Sequence, residues 1–213
     1  MKRAALGVLF APALLALALA ACDDRVPTRT TTVDPGAPRA VDLGTGPYRP
    51  RRRMDVDQLD ASIRRATGGV GWDDSSGRNQ FVRYSETLGV PDWLTSTTED
   101  LDSSALFVKF LDDAARSVCT RLVHTEATST ATEHAFLVHA DADAMLPADA
   151  DAIDENLAYL LLRFHGRRVE MGSPELQPWH ELFADARAAA TSGEIAWTTV
   201  CVALIDHPDF YTY

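Results

Sequence analysis

The 213-residue chain holds six histidines, thirty-one acids and three cysteines, the side chains best able to hold a metal, move a proton or form a covalent bond. The densest set is His134, His139, Asp141 and Asp143, with Asp149, Asp151, Asp154 and Glu155 close behind. Imidazole with carboxylate suits a borderline metal such as zinc, and crowded oxygens suit calcium. The run lacks the glycine and closing glutamate of an EF-hand loop. An acidic loop leading into acids at a helix start accounts for the same residues without any ion. Two cysteines, Cys119 and Cys201, fall on segments whose apolar spacing turns them toward a core. In an oxidising compartment they form an even pair, and the expectation is a disulfide between two helices. Two buried free thiols are the alternative. A catalytic role for Cys119 finds no support, because His124 is five residues away and lies on another helical face. No G-x-S-x-G, H-E-x-x-H, Walker loop, dinucleotide fingerprint or C-x-x-C-H occurs in the chain. The usual footholds for hydrolytic, nucleotide-dependent and covalently haem-linked chemistry are therefore missing.

The remaining cysteine sits in a different setting. Lys2 and Arg3 precede an almost unbroken apolar run, Ala4 to Ala18, which leads to Leu19-Ala20-Ala21-Cys22. The run is short for a spanning helix of about 20 residues and has the layout of an export signal. The tetrapeptide resembles a bacterial lipobox. That resemblance implies diacylglycerol on the Cys22 thiol, cleavage before Cys22, and an amino terminus carrying a further acyl chain such as palmitate. A plain secretory signal with an incidental cysteine is the alternative. Each acyl chain would contribute about 0.8 kcal/mol per buried methylene, so several would hold the protein on a bilayer. Loss of residues 1–21 leaves eighteen bases against thirty-one acids, a net charge of −13. Anionic lipid repels such a body, so the anchor has to do the holding. The same charge argues against a nucleic-acid partner.

Three segments follow from composition: a signal over 1–21, a lipid-anchored tether over 22–50, and a folded domain over 51–213. The tether is rich in Thr, Pro and Gly and has no apolar period. Arg49 to Arg53 contain four arginines, more readily a solvated approach to a helix than a patch for phosphates.

The domain reads as all-α. Met54, Leu59, Ile63 and Ala66 space out a short helix within Arg53 to Thr67, stopped by Gly68 and Gly69. Phe81 to Leu88 makes another. Phe107, Phe110, Leu111, Ala114, Val118 and Leu122 form one stripe of a helix over Leu101 to Val123, capped by Ser96 with Glu99, or by Asp102. Thr125 to Thr132 reads as a loop. Pro147, Asp149 and Asp151 introduce a helix from Ala150 to His165, where acids lead, Arg163 and His165 close, and Gly166 caps. His165 is read there as a helix-end cation. Pro178 opens a helix through Thr191, and Glu194 to Ile205 is the last, ended by Pro208. Ala135 to Val138 is a brief extended piece.

Two stretches carry a family resemblance. The first runs from Arg53-Met54-Asp55-Val56-Asp57-Gln58-Leu59 to Thr67-Gly68. The second joins Leu161-Leu162-Arg163-Phe164-His165-Gly166-Arg167-Arg168 to Leu204-Ile205-Asp206-His207-Pro208-Asp209-Phe210. They resemble helical domains of large exported planctomycete and myxobacterial proteins, which accompany c-type cytochrome modules. The resemblance implies a compact exported helical domain, and an accessory role beside a cytochrome chain; the haem motif itself is absent. The expected protein is thus a non-catalytic envelope lipoprotein, facing the periplasm or exterior and binding another exported protein. Trp72, Trp93, Phe210, Tyr211 and Tyr213 are candidate contacts. Its covalent lipid on Cys22 is the only attached group expected. A metal-dependent module on His134, His139, Asp141 and Asp143 is the rival.

Overall fold

The computed structural model describes residues 52–88, 90, 94, 101, 103–130 and 133–213. The signal, the tether, Cys22 and Trp93 lie outside them. The described residues belong to one compact unit, Tyr48–Tyr213. It is all-α, and no described helix is long and apolar enough to cross a membrane.

Helix α1 spans Val56–Ala66. Asp55 starts it with a capping box: its carboxylate accepts the Gln58 N–H at 2.7 Å, and the Gln58 side chain accepts the Asp55 N–H. Leu59, Ile63 and Ala66 are buried along one face as their spacing predicts, joined by Val56, while Met54 precedes the helix and is only partly buried. Gly68 follows with φ +69°, a left-handed turn that a Cβ would resist. The expected second helix divides into α2, Gln80–Arg83, and a single 3₁₀ turn at Glu86–Leu88.

Helix α3, Ala105–Thr128, starts later and ends later than its apolar stripe suggests. Ser104 is the cap, accepting the Phe107 N–H at 3.1 Å; the expected caps, Ser96 with Glu99 or Asp102, lie outside the described residues. Its last turn is polar because Glu126 is turned inward to serve a loop. Helix α4, Ala150–His165, ends at Gly166 with φ +66°. Helix α5, Gln177–Ala189, buries Phe183 fully and the rest of its apolar face in part. Helix α6, Gly193–Asp206, buries Trp197, Val200, Cys201, Leu204 and Ile205, and is apolar nearly all round, as a central helix must be. Pro208 does end α6, but it also opens a last short helix, α7, Pro208–Tyr211.

The most extensive helix pairing joins α3 to α6, and α5 lies along α6 as well. Cys119 and Cys201 meet at the centre of the α3–α6 seam as a disulfide, Cα atoms 5.7 Å apart. Both residues are fully buried. Aromatic rings extend the core from there: Trp197 stands 4.5 Å from Phe183 and 6.2 Å from Phe136, centroid to centroid, and Phe136 meets Phe164 edge-on. Gly193 allows α6 to start hard against the preceding loop, since a Cβ there would lie 2.1 Å from the Ala142 carbonyl oxygen.

The two ends of the described unit are sewn together. Arg52 and Tyr213 exchange backbone hydrogen bonds, and Met54 N–H donates to Tyr211. Arg53 is not solvated: it is buried, donates to the Leu88 carbonyl at 2.7 Å, and lies 4.5 Å over the Phe107 ring. That position takes it out of any surface basic patch.

Candidate functional site

The His134–Asp143 stretch is organised by its main chain. Glu126 from α3 accepts N–H bonds from Ala135, Phe136 and Leu137 through its two oxygens, at 2.8–3.1 Å. Asn156 from α4 accepts those of Val138 and His139, both at 3.0 Å. The Tyr159 hydroxyl and the Trp197 indole N–H donate to the carbonyls of Ala135 and Asp141. Residues 135–140 are consequently a string of bends, not an extended piece. Such a loop needs buried acceptors, because its amides have no helix or sheet to satisfy them.

This arrangement pulls the expected metal ligands apart. His134 turns its Nδ1 to the Leu137 carbonyl, and His139 faces Glu155 and the Tyr159 ring. Among the described residues, His134, His139, Asp141 and Asp143 do not bring three ligand atoms within reach of one ion. His139, Asp141 and Asp143 lie on the exposed side of a loop clamped from within by Glu126, Asn156 and Trp197, while His134 is half-buried with its Nε2 enclosed.

Three other residues do converge. One ligand atom each from His165, His207 and Asp209 lies within 4.8 Å of the other two. His165 ends α4, while His207 and Asp209 bracket Pro208 at the junction of α6 and α7. The imidazoles lie 4.8 Å apart, and Trp179 of α5 lies 5.6 Å from His165 and 6.0 Å from His207. The α4 C-terminus, the α6–α7 turn and one ring from α5 therefore meet in a polar corner.

Inside that corner, His165 faces the Leu204 carbonyl through Nε2 at 2.9 Å, and its buried Nδ1 has no protein partner. Burial holds this imidazole below the usual histidine value, with the charge of His207 adding to the effect while the Leu204 carbonyl opposes it. His165, expected as a helix-end cation, is a half-buried ring set against a backbone carbonyl. His207 uses Nδ1 to accept the Asp209 N–H at 3.1 Å, capping α7. Arg167 donates to Asp209 at 3.3 Å. No family model matches the chain, and neither a curated protein nor a solved structure matches it. The site is therefore read from its own chemistry alone.

The aromatic contacts suggested by the sequence are mostly interior. Trp72, Phe210 and Tyr211 are buried, while Tyr213 is 65% exposed. A more open surface lies between α3 and α6 on the far side of the disulfide seam. There Arg116, Thr120, Ile195, Thr199 and Val202 line a groove of about 600 Å³.

Proposed function

We propose that the chain is a bacterial envelope lipoprotein whose helical domain, tethered through Cys22, is a non-catalytic binding module for another exported protein. The observation that carries this reading is how its cysteines are used. One stands in the lipobox-like Leu19-Ala20-Ala21-Cys22, and the other two are joined across the core. Core disulfides persist in oxidising compartments, and lipobox cysteines belong to exported precursors, so both features point to the same address. The tether over 22–50 lets the domain stand off the bilayer, as a partner-seeking module requires. The groove between α3 and α6, with Ile195 half exposed in it, offers a partner apolar surface.

The test is recovery of the intact protein from bacterial membranes with its bound partner after mild crosslinking. The expected result is a reproducible exported protein, lost or weakened in an Ile195→Asp variant that folds normally. Recovery of no reproducible partner, or equal recovery by Ile195→Asp with a second groove variant, Val202→Asp, removes the binding-module reading.

A further inference from the structure

We propose that His165, His207 and Asp209 form a binding site for a borderline divalent transition-metal ion, of which zinc is the simplest case. Two imidazoles and one carboxylate are a donor set such an ion favours, and a nitrogen-rich set disfavours calcium. A tetrahedral zinc ion with bonds of about 2.0–2.2 Å separates its ligand atoms by roughly 3.4 Å. From a spread of 4.8 Å the three side chains need only a small inward rotation to reach that distance.

His165 is already arranged as a ligand. The Leu204 carbonyl takes the proton on Nε2, which leaves the Nδ1 lone pair bare, buried and without a partner. Metal-bound histidines commonly donate their other N–H to a backbone carbonyl in this way, which fixes tautomer and ring orientation. His207 and Asp209 sit two residues apart across the α7 start, Nδ1 to Oδ2 3.8 Å, with side chains 39% and 25% exposed. The pair is accessible to an ion from solvent, while His165 provides the anchored inner ligand. Helix α4 ends at His165 and α6 at Asp206, so the negative ends of two helix dipoles lie beside the site and favour a cation. Ligation at His207 Nδ1 takes over the lone pair that now caps Asp209, so the ion replaces one small stabilising contact with a larger one.

One feature opposes the ion and supplies the sharpest test. Arg167 places its guanidinium 3.3 Å from the Asp209 carboxylate and near Glu175, so it competes with a metal for the same oxygens. Removing it should tighten binding, a gain that damaged folding cannot imitate.

The experiment is calorimetric titration of Zn²⁺ into the full chain, purified in detergent and carrying Cys22→Ser so that no free thiol competes. The expected result is saturable binding of one ion per chain, at least about tenfold weaker in His207→Ala and in Asp209→Asn. Arg167→Ala should bind about threefold tighter or better, and Ca²⁺ should give no heat. The double variant His139→Ala/Asp141→Asn should bind like the parent. Far-UV circular dichroism verifies that each variant is folded. Absence of Zn²⁺ binding, loss in the His139/Asp141 variant with retention in His207→Ala, or no gain in Arg167→Ala would overturn the proposal. None of these outcomes depends on Cys22 being acylated, so this site and the lipoprotein reading fail separately.

Discussion

Helix α6 contributes to two regions that contrast sharply, although Cys201 and His207 are less than two helical turns apart. Around Cys201 the α3–α6 seam is dry: Val118, Cys119, Trp197, Val200 and Cys201 are all fully buried and covalently stapled. Around His207 the same helix runs out into a polar corner, where rings are half exposed and His165 keeps an unpartnered nitrogen. Close packing and a crosslink make the first region costly to alter and chemically inert. The second is more open to solvent and should contribute less to stability. The contrast separates the two proposed sites: the α3–α6 groove offered to a partner protein, and the polar helix ends around α7 offered to a metal ion.

The largest effect that would break this comparison comes from the staple. Replacing both cysteines, Cys119→Ser with Cys201→Ser, frees a loop with a sequence separation of 82 residues. The loss should be about 4 kcal/mol or somewhat more by loop entropy, read as a lower midpoint in chemical denaturation. An unchanged midpoint would mean that the seam is held by packing alone.

Glu126→Ala should rank second. It leaves the amides of Ala135, Phe136 and Leu137 without an acceptor, at a cost of about 2–3 kcal/mol. Faster exchange of those three amide protons would locate the damage in the loop rather than the seam.

His207→Ala should cost only about 1 kcal/mol, the value of one helix cap. A loss as large as that of the cysteine pair would show that the corner is structural, and would erase the contrast.

The smallest effect concerns Asp74, which sits in an exposed turn far from both regions. It accepts bonds from the Ser76 hydroxyl, from the amides of Ser76 and Arg78, and from the Arg78 guanidinium. The Ser76 hydroxyl, above all, holds its carboxyl well below the usual carboxylate range. A carboxyl depressed in the folded state stabilises it above the ordinary value of 3.8, and that contribution vanishes as pH falls through the depressed value. Thermal melting of Asp74→Ala should therefore fall slightly below the parent at neutral pH, and the gap should close in acid. A gap that widens in acid would contradict the assignment.

Legibility from sequence followed the range of the forces involved. Helix α4 could be read to the residue, because Pro147, the leading acids, the apolar period and Gly166 are all local signals. Helix α3 could not. Its true cap, Ser104, is preceded by other residues equally able to cap, and its last turn is polar because Glu126 answers a loop nine to eleven residues on. The disulfide was legible from parity and helical phase. The His134 stretch is dense in sequence, but buried acceptors fix its loop so that no three of those ligand atoms converge. The triad left no local signal at all: His165 and His207 are brought together only when α4 packs against the C-terminal end of α6. The nearest hint was a histidine at each of two helix ends, His165-Gly166 and His207-Pro208, with an acid two residues beyond the second.

The central claim is that one cysteine anchors the protein to a membrane while the other two staple its exported domain. Intact-mass analysis of the protein extracted from bacterial membranes without reductant tests this in one measurement. The account predicts a product beginning at Cys22, bearing diacylglycerol and an amino-terminal acyl chain, and lacking the two hydrogens lost when Cys119 joins Cys201. A product with an unmodified Cys22, or one that still carries residues 1–21, would contradict it.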